Sequence, residues 1–202
     1  MAGARDDPSS PAIARTAASS SGSSRGSLAS VHRPSSMVDR LPRVAFPGPS
    51  RIIPAMLKTT LLHPHILSAL GRAGHGSKVL ISDGNYPHWT KKGPNAEVVY
   101  LNLAPGLVSC TDVLKQLVTA VPIEAADVMD TLKSGPYAMK DDPAIWDEFR
   151  AIFKAAKLKL ELGKIERFAF YDAAGTPDVC LTIATGEQRI YANLLLTIGV
   201  VK

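Results

Sequence analysis

The run Lys78-Val79-Leu80-Ile81-Ser82 is apolar at three successive positions, with Gly74-His75-Gly76 before it and Asp83-Gly84-Asn85 after it. Neighbouring side chains on a strand point to opposite faces, so such a run reads as a strand in a sheet covered on both sides. Val179–Ala184 and Leu194–Ile198 read the same way, Glu97–Leu101 is a further strand, and Ala126–Leu132 a short one. Between them lie helical patterns. Pro64 suits a first helical turn, Ile66, Leu67 and Leu70 share a face, and Gly71 and Gly74 close the helix. Ser109 caps a helix reaching Val121, with Val113, Leu114, Leu117 and Val118 inward. Asp142-Pro143 opens another to about Lys157, with Ile145, Trp146, Phe149, Ile152 and Phe153 as its buried stripe. Ile165–Ala174 fits a strand through Phe168, Phe170 and Tyr171, and a helix through Ile165, Phe168 and Asp172. Helices interleaved with short buried strands imply an α/β fold, a central sheet with helices on both faces.

Charge divides the chain. Residues 1–55 carry seven arginines and three aspartates with no lysine or glutamate; the remainder carries sixteen basic and fifteen acidic groups. A nucleic-acid binder needs its basic face on the folded part, so the overall +5 does not point to DNA or RNA. The leader, residues 1–55, is rich in serine, alanine, proline and arginine and is expected to be disordered. Its composition resembles an organellar transit peptide, for a plastid rather than a mitochondrion or retention in the cytoplasm. A plain disordered tail is the alternative. No apolar run is long enough to span a membrane. Cys110 and Cys180 lack metal-ligand spacing and read as reduced, structural thiols.

His75, flanked by glycines, is an unshielded imidazole suited to giving and accepting protons near neutral pH. It precedes a strand that Asp83 follows, so the two sit at opposite ends of that strand. They share a site only if a second copy brings its own loop alongside. Two other readings of this region fail. Gly71–Lys78 puts Ser before Lys and runs from helix into strand, the reverse of a phosphate loop. His63, His65, His75 and His88 with Asp83 lack a spacing that would converge them on zinc, and no metal is expected. Tyr191-Ala192-Asn193 offers neutral donors and acceptors suited to sugar hydroxyls, or simply an edge tyrosine and a turn asparagine. Arg167 and the Lys91-Lys92 pair read on their own as solvated cations.

Several segments in order resemble the ribose pyranase and fucose mutarotase (RbsD/FucU) family. They are Met56–Thr59, Gly74-His75-Gly76, Ile81-Ser82-Asp83 with Tyr86-Pro87, Ile165–Tyr171, Ala184–Glu187, Tyr191-Ala192-Asn193 and Leu194–Val200. The resemblance covers residues 56–202 and implies a three-layer α/β domain that interconverts anomers or ring forms of an aldose without a cofactor. It implies homo-oligomeric rings, often decamers, with sites between subunits. By position His75 matches the family's proton donor, and Asp83, Arg167, Tyr191 and Asn193 its sugar-binding residues. Arginine at 167 is similar to the fucose mutarotase branch, where the segment from Glu166 is helical. Tyr191 would bind a hydroxyl or relay a proton, and Asp83 and Tyr191 are expected to reach one pocket from different subunits. His63 before Pro64, Gly84-Asn85, Ala173–Asp178 and His88–Lys92 depart from the family pattern and leave the sugar open. The rivals are a non-catalytic sugar-binding or regulatory protein on this scaffold, a metal-dependent hydrolase, and an assembly-only ring protein.

Overall fold

The computed structural model describes residues 57–201; the leader read at 1–55 lies outside the described residues. In chain order the elements are α1 (Pro64–Arg72), β1 (Lys78–Ser82), β2 (Glu97–Tyr100), α2 (Cys110–Ala120) and β3 (Ile123–Met129). There follow α3 (Ala144–Ala155), β4 (Leu162–Ile165), α4 (Arg167–Ala174), β5 (Val179–Ala184) and β6 (Leu194–Ile198). The strands form one sheet in the order β2-β5-β1-β6-β3-β4. β6 runs antiparallel to β1 and β3, and the other neighbouring pairs are parallel. The carboxyl ends of β1, β3, β4 and β5 therefore share one rim with the start of β6. The opposite rim gathers the starts of β1 and β3 with the end of β6. This division decides where each functional side chain falls.

Val79, Leu80, Ile81 and Ser82 are all buried, so both faces of β1 are covered as their unbroken apolar pattern requires. α1 packs on β5 and β2, α2 on β1 and α3, and α4 on β3, completing a three-layer α/β arrangement. On α3, Ile145, Trp146, Phe149 and Phe153 repeat at helical spacing and are fully buried. Each such side chain contributes about 1.5–3 kcal/mol by leaving water. Ser109 caps α2 as its sequence predicts: its hydroxyl accepts the Asp112 N–H at 3.1 Å while the Asp112 carboxylate accepts the Ser109 N–H at 3.3 Å. His63 occupies the corresponding position before α1, its Nδ1 accepting the Ile66 N–H at 3.4 Å.

Four strands and helices differ from the sequence reading, β2 only in ending at Tyr100 rather than Leu101. β3 begins at Ile123 rather than Ala126 and ends at Met129, because pairing with β6 recruits Ile123 and Ala125 despite the weak strand preference of alanine. β4 was not anticipated: it is a short, partly exposed edge strand containing Gly163, where an added Cβ would run into the Asp127 carboxylate. α3 begins after Pro143 and stops at Ala155, with Lys157 taking a left-handed φ of 59°. The ambiguous segment is helical from Arg167. Glu166 caps it by accepting the Phe168 and Ala169 N–H groups at 2.8 and 3.1 Å, and Phe170 and Ala174 are its buried face.

Candidate active site

A cavity of about 320 Å³ opens at the rim where β1, β3 and β4 end and β6 begins, at the small end of the range for ligand pockets. Its walls include Asp83, Arg167, Tyr191 and Asn193, four of the five residues singled out from the sequence, all from one chain. The expectation that Asp83 and Tyr191 come from different subunits is therefore corrected. β6 lies antiparallel beside β1, so the residues leading into β6 abut the residue leaving β1.

Asp83 and Asn193, 110 positions apart, are locked together. The Asp83 N–H donates to Asn193 Oδ1 and Asn193 Nδ2 donates to Asp83 Oδ2, both at 3.0 Å. The Asn85 N–H donates to Asp83 Oδ1 at 3.0 Å, closing the turn. Gly84 fits there because its N–H donates to the Glu187 carbonyl at 2.9 Å, and a Cβ would stand 3.2 Å from that oxygen. Asp83 is 2 % exposed, and burial raises its carboxyl from an ordinary 3.8 to about 6; the N–H groups of Asn85, Ala192 and Tyr86 oppose that rise and Glu187 adds to it. Glu187 is itself held below its usual range by the Arg189 guanidinium, whose Nε and Nη2 donate to it at 2.9 and 2.8 Å. Arg189 Nη1 reaches Glu148 on α3 at 2.6 Å, pinning this loop to the helix.

Tyr191 is held in a left-handed conformation, φ 59°, uncommon for a non-glycine residue. Trp146, fully buried on α3, donates its Nε1–H to the Tyr191 carbonyl at 2.9 Å. The Tyr191 hydroxyl donates to the Tyr137 carbonyl at 2.9 Å and accepts the Leu132 N–H at 3.1 Å, so one lone pair is left for a ligand. Arg167 stands at the first turn of α4 with its guanidinium carbon 5.9 Å from the Phe168 ring centroid; among the described residues no carboxylate lies within ion-pairing distance of it.

His75 is not in this cavity. It lies at the opposite rim, before β1, and β1's five residues span roughly 16 Å. There it lines a separate depression with Leu70, Ala73, Pro122 and Ile198. Its Nε2 meets both carboxylate oxygens of Glu124, at 3.1 and 3.0 Å. The sequence expectation of opposite ends is met within one chain.

Other cavity residues escaped the sequence reading. The Tyr86 and Tyr171 rings pack at a tilt of 56° with centroids 5.7 Å apart, and the Tyr86 hydroxyl donates to the Lys91 carbonyl at 2.7 Å. Burial pushes the Tyr86 phenol well above its usual range. Both sit in segments already quoted for other reasons, a signal that was present. Met129, Tyr137 and Ile190 give the cavity an apolar side; the loop carrying Tyr137 has no periodicity to betray it. Burial also raises the thiols of Cys110, to about 12, and Cys180, so neither is a ready nucleophile. Among the described residues no group of three or more His, Cys, Asp or Glu side chains gathers as a metal site would, and no helix is long and apolar enough to cross a membrane.

Residues 56–201 match the model of the RbsD / FucU transport protein family. The chain belongs to the RbsD/FucU family. Human fucose mutarotase is 36 % identical over 143 residues, covering 69 % of this chain and 90 % of that protein. The crystal structure of FucU from Bifidobacterium longum superposes with a TM-score of 0.58 at 33 % identity, over 69 % of this chain and 95 % of that one. The fucose mutarotase of Streptococcus pneumoniae, crystallised with L-fucose, gives the same TM-score at 22 % identity, over 69 % and 94 % of the two chains. The RbsD/FucU fold is thus common to this chain and to a structure holding a monosaccharide.

Proposed function

We propose that this chain is a cofactor-independent sugar mutarotase, an isomerase that opens and recloses the ring of an aldose. The observation that carries the reading is a cavity in which Asp83, Arg167, Tyr191 and Asn193 converge while His75 waits at the far rim. Family membership and the curated fucose mutarotases support it.

Ring opening needs a proton to leave the anomeric hydroxyl and another to reach the ring oxygen as the C1–O bond breaks. The aldehyde turns about C1–C2 and closes on its other face, reversing both transfers. No hydride moves and no adduct with the protein forms. His75 of a neighbouring copy is the principal proton carrier, and Asp83, titrating near 6, is tuned to hand over the second proton. Arg167 and the second Nδ2–H of Asn193 donate to sugar hydroxyls. Tyr191 accepts a hydroxyl rather than relaying a proton, because its own hydrogen goes to Tyr137. The site is then complete only in an oligomer.

Among sugars, the reading favours an L-fucose-like 6-deoxyaldose over ribose. Met129 and Ile190 offer an apolar wall for a methyl group, and Arg167 stands where the fucose branch has arginine. Saturation-transfer NMR tests this: the protein should accelerate exchange between the anomeric protons of L-fucose more than those of D-ribose. Saturable sugar binding with exchange at the spontaneous rate would instead identify a binding protein. Residues 1–55 are proposed as a plastid leader, which sequencing the amino terminus of the mature protein checks.

A further inference from the structure

We infer that Glu124 is a positioning residue for His75, fixing its Nε2–H and leaving Nδ1 as the nitrogen that exchanges protons with the sugar. The inference rests on the mutarotase reading and adds to it a residue that none of the sequence motifs contains.

Glu124 reaches His75 because of a fault in the sheet. Ile123 of β3 faces Ile198 of β6, and Ala125 faces Thr197, so two steps along β3 match one along β6. Glu124 is the extra residue of a bulge, a device that re-aims a side chain out of the regular pleat. Gly199, just past β6, makes room for it: a Cβ there would stand 3.1 Å from Glu124 Cβ and 3.4 Å from its Oε2. The histidine side is anchored to the same strand end. Gly76 N–H donates to the Ile198 carbonyl at 2.9 Å, with Gly76 at φ 81°, and Ile198 N–H donates to the Ser77 carbonyl at 2.8 Å. Gly199 N–H donates to the Pro122 carbonyl at 3.0 Å, tying the approach to β3 to that end as well. A bulge, a glycine and a fixed turn thus converge on one contact.

The chemistry follows from the atoms. A carboxylate only accepts, so the imidazole nitrogen between Glu124 Oε1 and Oε2 carries hydrogen. In the neutral ring Nδ1 then holds the lone pair. When Nδ1 takes the anomeric proton, the Glu124 carboxylate faces the positive charge that forms; when it returns a proton to a ring oxygen, Nε2–H is kept. A carboxylate behind a working imidazole settles tautomer, orientation and charge together.

The test uses the full chain in its native assembly, with L-fucose as substrate. Glu124→Ala should lower the maximal exchange rate about 10–100-fold while sugar affinity stays within twofold. Glu124→Gln, which keeps an acceptor but no charge, should fall between Ala and wild type. Nitrogen-15 NMR of the ring should report a single Nε2–H tautomer in the wild type and a mixture in Glu124→Ala. In a His75→Ala background, removing Glu124 should cost nothing further. Full exchange rates for both Glu124 variants, or a wild-type tautomer unchanged in Glu124→Ala, would overturn the inference. If His75→Ala itself kept the wild-type rate, the mutarotase assignment of His75 would fail instead, and the two failures are told apart by that control.

Discussion

The two rims of the sheet are built on opposite principles. At the carboxyl rim Asp83 and Asn193 are buried at 2 and 4 % exposure and bonded in both directions, and the loops around them are pinned by Trp146 and Arg189. At the amino rim His75 and Glu124 keep 57 and 42 % of their side chains exposed, and their contact is one imidazole nitrogen hydrogen-bonded to one carboxylate. The first is a rigid mould. The second is an exposed imidazole on a glycine turn, accessible to a neighbouring molecule, as the proposed proton carrier must be. On the proposed reading, sugar binding and the principal proton carrier are thereby lodged in separate parts of one chain, and mutation should separate them.

The largest effect is expected from His75→Ala. Loss of a positioned proton carrier should cut catalysed anomer exchange roughly 10²–10⁴-fold, while L-fucose affinity, measured by calorimetry, survives. Equal loss of affinity would erase the contrast between the rims.

Asp83 sharpens the comparison through pH. Its carboxyl titrates near 6 in the folded chain against an ordinary 3.8, so the fold holds that proton more tightly than the unfolded chain does. Its contribution to stability is full below pH 3.8 and is lost as pH rises through 6, a swing of about 3 kcal/mol. Asp83→Asn abolishes this swing at the cost of a poorer bond to Asn193. The melting temperature of the variant, taken relative to wild type, should therefore climb between pH 4 and 7. A flat difference contradicts the burial account.

A smaller effect belongs to Trp146→Phe. Loss of its bond to the Tyr191 carbonyl leaves a buried acceptor unpaired, worth about 1–3 kcal/mol in unfolding free energy. Denaturant melts measure this, and sugar affinity should weaken with it, because Tyr191 needs support in its left-handed conformation.

How much of this was legible varied with the physics of each segment. β1, β5 and β6 were read to the residue because strands buried on both faces are unbroken apolar runs between turn residues. β4 carried glycine and lysine on an exposed edge, and β3 opened in an alanine-rich stretch, so neither showed its full extent. For α4, pattern alone left strand and helix even; the family resemblance decided it. Asp83, Tyr191 and Asn193 were marked by their own chemistry and given sugar-binding roles by the resemblance, Arg167 came from the resemblance alone, and what joins the four is strand order. Nothing local in the chain says that β6 lies antiparallel to β1, which is what brings Asn193 to Asp83. Glu124 was invisible for a sharper reason. A bulge is a mismatch between two strands, and neither strand's sequence contains it.

The central claim is that His75 of one copy serves the cavity of another, and mixed assemblies test it most directly. His75→Ala keeps the cavity and Arg167→Ala keeps the imidazole, so each alone should be nearly inactive. Dissociated, mixed and reassembled, they should regain exchange activity at on the order of a quarter of the sites, by random pairing of neighbours. Mixing Arg167→Ala with Asn193→Ala, both cavity variants, should regain none. If the first mixture stayed as inactive as its components despite verified co-assembly, His75 and the cavity would not meet across a subunit boundary.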